Sequence, residues 1–123
     1  MQTTVALEGL EFFAYHGFHD EEQRMGNKYS VDIRIGLPDT KAGQSDNLAD
    51  TVDYGQLYQI IARRMQQPAR LLEHLAHDIL QTVASTYPQL LSVEVGVTKY
   101  NPPIGGVCTR AQVCVRETFP IVP

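Results

Sequence analysis

Nowhere in the 123 residues does an apolar run reach the 18 or so positions that a membrane-crossing helix needs, so no helix of this chain is expected to span a bilayer. The opening MQTTVALEGLEFF has no basic start and carries Glu8 and Glu11 inside its apolar stretch, which argues against a signal peptide. Basic excess is missing too. A net charge of -4 excludes the usual duplex-binding protein, which needs a basic face to displace counterions. Cysteine is scarce: Cys108 and Cys114 sit in one apparent strand, about 20 Å apart by strand rise and too far for a disulfide. Free thiols fit a cytoplasmic location. A Gly-rich phosphate loop, a serine-nucleophile motif, a CxxC pair and HExxH are likewise absent. Four histidines form the pairs His16/His19 and His74/His77. Helical i, i+3 spacing can put two imidazoles on one metal, but no acidic residues recur at matching spacings, and neither a metal nor a cofactor is expected.

What is there suits one compact domain over residues 1–123, with 43% hydrophobic content and enough chain to bury roughly two-thirds of its unfolded surface. Residues 4–15 read as a strand whose parity changes midway. Val5 and Leu7 share one face, then Leu10, Phe12 and Ala14 take the alternate set, and Gly9 at the switch predicts a bulge. A polar connection covers residues 16–27. In the second strand Tyr29, Val31, Ile33 and Ile35 face one way and Ser30, Asp32 and Arg34 the other. A long polar loop runs from Pro38 to Asp50.

Asp53 followed by Gln56 resembles a capping box that opens a helix over Tyr54–Met65. After Pro68 a second helix covers about Leu71–Tyr87, where Leu72, Leu75, Ala76, Ile79 and Val83 form one apolar stripe. A third strand, Ser92–Lys99, places Val93, Val95 and Val97 together. The fourth, about Thr109–Glu117, does the same with Ala111, Val113 and Val115, and NPPIGG at 101–106 joins the two. The order is ββααββ, an α+β arrangement with helices covering one sheet face. The first strand carries little charge to blunt its edge, so edge-to-edge pairing between subunits, closing the sheet into a barrel, is expected.

Several residues could do chemistry. Lys99 shares the face of Val93, Val95 and Val97 at its strand's end, where lost hydration disfavours the charged amine and makes a general base plausible. On its own, the commoner reading is a lysine snorkelling at the sheet rim. Glu73, in the first turn of the second helix, could with a neighbouring backbone N–H grip a ring offering adjacent N–H donors and an acceptor, as pterins and guanines do. Alone, the commoner reading is a carboxylate favoured by the helix dipole. Of the trio Asp20, Glu21 and Glu22, one member could orient a hydroxyl or a water, though such runs are more often solvated surface. Tyr54 directly follows the capping Asp53, where a phenol could relay a proton or simply pack.

Taken together, the segments FFAYHGFHDEEQRMGNKYSVDI, AGQSDNLADTVDYGQLY, LLEHLAHDIL and VTKYNPPIGG resemble the successive signatures of the dihydroneopterin aldolase family, in order and spacing, from about Thr4 to Glu117. The combination of YHG, E-x-x-x-G, DTVDYG, LLEHLA and TK-x-NPP is specific where any single piece is not. The resemblance implies the T-fold: an antiparallel four-stranded sheet with two helices between strands two and three. Subunits would join edge to edge into a tetrameric ring, and two rings would stack as a homo-octamer, with active sites between neighbours. It implies catalytic roles for Lys99, Tyr54 and Glu22, with Tyr54 supplied by the adjacent chain. Glu73 would anchor the pterin, with main-chain groups at Leu72 and, from the neighbour, Val52. The substrate would be 7,8-dihydroneopterin, whose ring imine serves as electron sink, so neither Schiff base nor metal is required. Alternatives of the same fold are an epimerase acting on dihydroneopterin triphosphate, for which Arg70 and Arg110 are the obvious cations, and a non-catalytic pterin- or purine-binding module. Arg70, Gly105–Gly106, Cys108, Arg110 and the tail TFPIVP depart from the common pattern without touching the assigned side chains.

Overall fold

A computed structural model describes residues 1–120, so Ile121–Pro123 of the apolar tail lie outside the described residues. Four strands, β1 (Thr3–Ala14), β2 (Asn27–Leu37), β3 (Ser92–Tyr100) and β4 (Arg110–Thr118), form one antiparallel sheet in the order β1-β2-β3-β4. Between β2 and β3 the chain leaves the sheet for α3 (Tyr54–Met65) and α4 (Leu72–Thr86). Two connections are more ordered than expected. Residues 16–27 contain a short helix α1 (Asp20–Met25), and the long loop contains α2 (Lys41–Ser45) and a 3-10 turn at Leu48–Asp50. Each has no buried residue, so hydrophobic periodicity had nothing to mark it.

Alternation along each strand decides the layers. Tyr29, Val31, Ile33 and Ile35 of β2 and Val93, Val95 and Val97 of β3 are all buried beneath the helices. From above come Leu57, Ile61 and Met65 of α3 and Leu75, Ala76, Ile79, Leu80 and Val83 of α4. Fully burying such a side chain contributes about 1.5–3 kcal/mol. Truncating one at the centre, such as Ile79→Ala, costs roughly 2–5 kcal/mol. Gly9 holds the bulge with φ +70, a left-handed conformation that suits glycine. Its N–H donates to Asp32 Oδ1 at 2.7 Å. Because the register shifts there, Val5 and Leu7 face Ile35 and Ile33, while Leu10 and Phe12 face Val31 and Tyr29. Without that extra residue one half of β1 would turn its apolar set to solvent.

Two local expectations are corrected. Asp53 does cap α3, its Oδ1 accepting the Gly55 N–H at 2.9 Å, but Gln56 completes no capping box. Its side-chain oxygen instead accepts from the Tyr87 hydroxyl. Cys108 lies before β4 rather than in it, and its Sγ donates to the Arg110 carbonyl at 3.2 Å. Both cysteines are free. Among the described residues β1 and β4 each pair on one side only. No described helix is long and apolar enough to cross a membrane.

Candidate active site

Strand parity carries Lys99 onto the helix-covered face after three buried valines, at the point where β3 is about to leave the sheet. The side chain does not snorkel. Lys99 is only 8% exposed, and its ammonium is ion-paired to Glu22 Oε1 across 77 positions of sequence. Beneath the amine lies the ring of Tyr29, its register partner on β2, with Nζ 5.9 Å from the ring centroid.

Glu22 is held from its other side. As the third residue of α1, it reaches back with Oε2 to accept the His19 N–H at 3.1 Å. The carboxylate in a first helical turn is also where the helix dipole favours it. Of the acidic trio it alone is half-buried, while Asp20 and Glu21 are exposed. Burial works to raise the Glu22 carboxyl, yet the Lys99 hydrogen bond, the His19 N–H and the Lys99 charge together outweigh it and hold the group below its usual range. The approach is possible because residue 17 is glycine. A Cβ there would stand 2.5 Å from Glu22 Cβ and 2.7 Å from its Oε2. This is the local reason for a glycine after Tyr15-His16, a constraint that composition alone did not reveal.

The pair opens onto a cleft of about 330 Å³ lined by His19, Glu22, Met25, Asn27, Lys99 and Asn101. Asn27 and Asn101 were not anticipated. Asn27 Nδ2 donates to the Tyr100 carbonyl at 2.7 Å, tying the start of β2 to the end of β3, and Asn101 turns the chain out of the strand at φ 48. A positive φ in an otherwise unremarkable Asn is the kind of signal a sequence shows only as an Asn before Pro-Pro.

The other candidates divide between the two ends of the sheet. Glu73, exposed, and Leu72, half-buried, open α4. That helix starts at the Lys99 end: Gly17 N–H donates to the Ala69 carbonyl at 2.8 Å, and Arg70 bonds the Phe18 carbonyl at 2.6 Å and Asp20 at 3.1 Å. Val52 and Tyr54 stand at the opposite end. Val52 is buried beside Leu37, Tyr87 and Leu90, whereas Tyr54 is 65% exposed. Leu37 continues β2 past the Gly36–Ser92 register pair, and the seven steps from Ser92 to Lys99 span about 23 Å. Within one chain Tyr54 and Val52 therefore do not meet Lys99.

His19 lines the cleft, while the other three histidines have partners of their own. His16 is buried, with Nδ1 accepting the Ala69 N–H at 3.0 Å. His74 and His77 sit within 3.4 Å and 3.7 Å of Asp78, which Arg64 also binds at 2.9 Å.

Residues 5–116 match the family model for dihydroneopterin aldolase, FolB. The dihydroneopterin aldolase of Bacillus subtilis is 38% identical over 103 residues, covering 83% of this chain and 86% of that protein. A crystal structure of E. coli dihydroneopterin aldolase in complex with neopterin superposes with a TM-score of 0.85 at 20% identity, covering 94% and 98% of the two chains. Another, dihydroneopterin aldolase from Burkholderia thailendensis bound to guanine, gives 0.75 at 18% identity over 97% and 93%. These structural likenesses establish the T-fold, and the family match with the sequence identity establishes more: this chain belongs to the dihydroneopterin aldolase family.

Proposed function

We propose that this enzyme, a lyase of folate biosynthesis, cleaves the C1′–C2′ bond of 7,8-dihydroneopterin in a site completed by a second copy of the chain. The observation that carries the reading is the buried Lys99–Glu22 pair at the mouth of a cleft. Lys99, in its neutral amine form, takes the proton of the 2′-hydroxyl directly or through a water. The C1′–C2′ bond breaks, glycolaldehyde leaves, and the electron pair runs into the N5=C6 imine of the ring. Protonation at C1′, relayed by Tyr54 of the neighbouring copy, returns the imine and gives 6-hydroxymethyl-7,8-dihydropterin. Glu22 positions the side-chain hydroxyls or the water. The ring imine accepts the electrons, so no lysine Schiff base is called for.

Glu73, at the N-terminus of α4, would grip the ring's N–H edge together with main-chain groups at Leu72 and, from the neighbour, Val52. That two relatives of the same fold are seen with neopterin and with guanine supports this role, because both ligands present adjacent N–H donors beside an acceptor. The exposure of both Glu73 and Tyr54 suits groups that wait for a ligand and a neighbour. Pairing of the free β1 and β4 edges into a ring, stacked in twos as a homo-octamer, would bring the two ends together. The enzyme would work in the cytoplasm, where free thiols persist.

Re-addition of glycolaldehyde to the opposite face would make the same site a 2′-epimerase. A triphosphate-specific epimerase is less well supported, since Arg70 is engaged by Phe18 and Asp20. Purified protein incubated with 7,8-dihydroneopterin should release 6-hydroxymethyl-7,8-dihydropterin and glycolaldehyde in equal amounts. Absence of both products from a folded, assembled sample would reject the reading.

A further inference from the structure

His16 is 1% exposed, yet its Nε2 meets no hydrogen-bond partner in the described structure. A polar ring kept in a core with one nitrogen unsatisfied works against stability, so its other contacts must explain it. Nδ1 accepts the Ala69 N–H at 3.0 Å, and the next residue, Gly17, donates its N–H to the Ala69 carbonyl at 2.8 Å. The two bonds clamp residue 69 from both sides. On the opposite flank, the His16 carbonyl accepts the Tyr29 hydroxyl at 2.6 Å, and the two rings meet edge to face at 5.1 Å.

Each of those neighbours leads directly to a different part of the site. Ala69 lies four residues before Glu73, and Arg70, between them, is bonded to Phe18 and Asp20. Gly17 supports Glu22, and Tyr29 underlies Lys99. We infer that His16 is a positioning residue, the junction that fixes the start of the ring-gripping helix against the Lys99–Glu22 pair. This rests on the aldolase reading above. Because the imidazole bonds Ala69 directly and reaches the ion pair only through Gly17 and Tyr29, its loss should act first on substrate grip and less on the chemical step.

Three variants separate this role from simple packing. His16→Asn sets a carboxamide oxygen close to where Nδ1 stood and keeps the acceptor for Ala69. His16→Gln keeps the amide but carries the oxygen one bond farther out, and His16→Leu removes it. With 7,8-dihydroneopterin as substrate, Gln and Leu should raise KM about tenfold or more with kcat within about threefold, while Asn stays within about threefold of the parent on both. Circular dichroism and melting curves establish which variants are folded. If Leu does not fold, the Asn–Gln pair carries the comparison, since both keep a polar group. Equal KM for the parent and folded Gln, or an Asn variant as impaired as Gln, overturns the inference while leaving the aldolase reading standing. A parent enzyme that produces no 6-hydroxymethyl-7,8-dihydropterin overturns the reading and the inference with it.

Discussion

At the end of the sheet where β3 finishes, the functional groups are pinned. Lys99 and Glu22 are ion-paired and mostly buried, Glu22 is bonded again to His19, and Tyr29 and Gly17 close in from below and beside. At the other end, about 23 Å along the strand, Tyr54 projects 65% exposed from the first turn of α3, reached by a connection built of short helical pieces with no buried residues. The contrast teaches where preorganisation is spent. Groups that must exchange a proton with substrate in one fixed geometry are held by the fold itself, whereas a phenol destined for a neighbour's site is left for assembly to place.

The largest effect should come from breaking the pinned end. Lys99→Ala is expected to lower kcat about 10³-fold, with affinity for neopterin changed by less than about tenfold, measured by product formation and by fluorescence titration. Turnover close to the parent's would remove Lys99 from the mechanism and leave the pinned end without its purpose.

Next comes a test of whether the two ends meet between copies. Tyr54→Phe should lose about 10²-fold in kcat. When equal amounts of the Tyr54→Phe and Lys99→Ala chains are unfolded together and reassembled, about a quarter of the sites should regain both native side chains if neighbours share them. Activity well above the sum of the two separate variants, approaching a quarter of the parent's, is the expected outcome. No gain in assemblies shown to be mixed would mean that Tyr54 does not serve a neighbour's Lys99.

A smaller loss should follow from crowding the pinned end without removing a charge. Gly17→Ala places a methyl 2.5–2.7 Å from Glu22 atoms, and overpacking of this kind costs roughly 1–3 kcal/mol. The melting temperature should drop and kcat should fall about tenfold, while the corresponding change at Gly43, where a Cβ meets nothing closer than 3.9 Å, should leave both nearly untouched. Equal effects at the two glycines would erase the difference between a pinned and a loose end.

Much of this division was legible in residue patterns, and the reasons for the exceptions are physical. Parity along Val93, Val95 and Val97 placed Lys99 on the covered face, and the switch at Gly9 announced the bulge. Glu22 could not be separated from Asp20 and Glu21 by pattern, because its partner lies 77 positions away and only the tertiary fold brings them together. The same holds for Gln56, whose spacing fits a capping box but whose side chain meets Tyr87. Leu80 escaped the predicted stripe of α4 although it is buried, since α4 lies under enough of the molecule to widen its apolar face. The assignment of roles came from the joint wording of five motifs, not from any one of these patterns.

The gentlest probe is acid. Burial first, then the Arg64 charge and, more weakly, that of Lys99 lower the His16 pKa from 6.5 to about 4, against an opposing pull from the Met65 main chain. In the unfolded chain His16 takes a proton near 6.5, whereas in the folded chain it stays neutral until about 4. Between those values the unfolded state binds more protons, so stability must fall as pH falls, by an amount on the order of 3 kcal/mol across the window. Glu22 adds a second step with the opposite chemistry and the same sign. Its folded pKa is depressed, so the stability it contributes is present above the ordinary carboxylate value of 4.5 and is lost as pH drops through the folded value. Melting curves from pH 7 to 3 should therefore show His16→Asn losing less stability than the parent between 6.5 and 4, and Glu22→Gln losing less below about 4.5. Hydrogen exchange should register the parent's acid loss first at residues 16–25 and 66–72, with the Tyr54 end following only on global unfolding. Simultaneous loosening of both ends would show that protonation of these two groups lowers the stability of the whole sheet rather than of their own junction, and would remove the contrast between the ends.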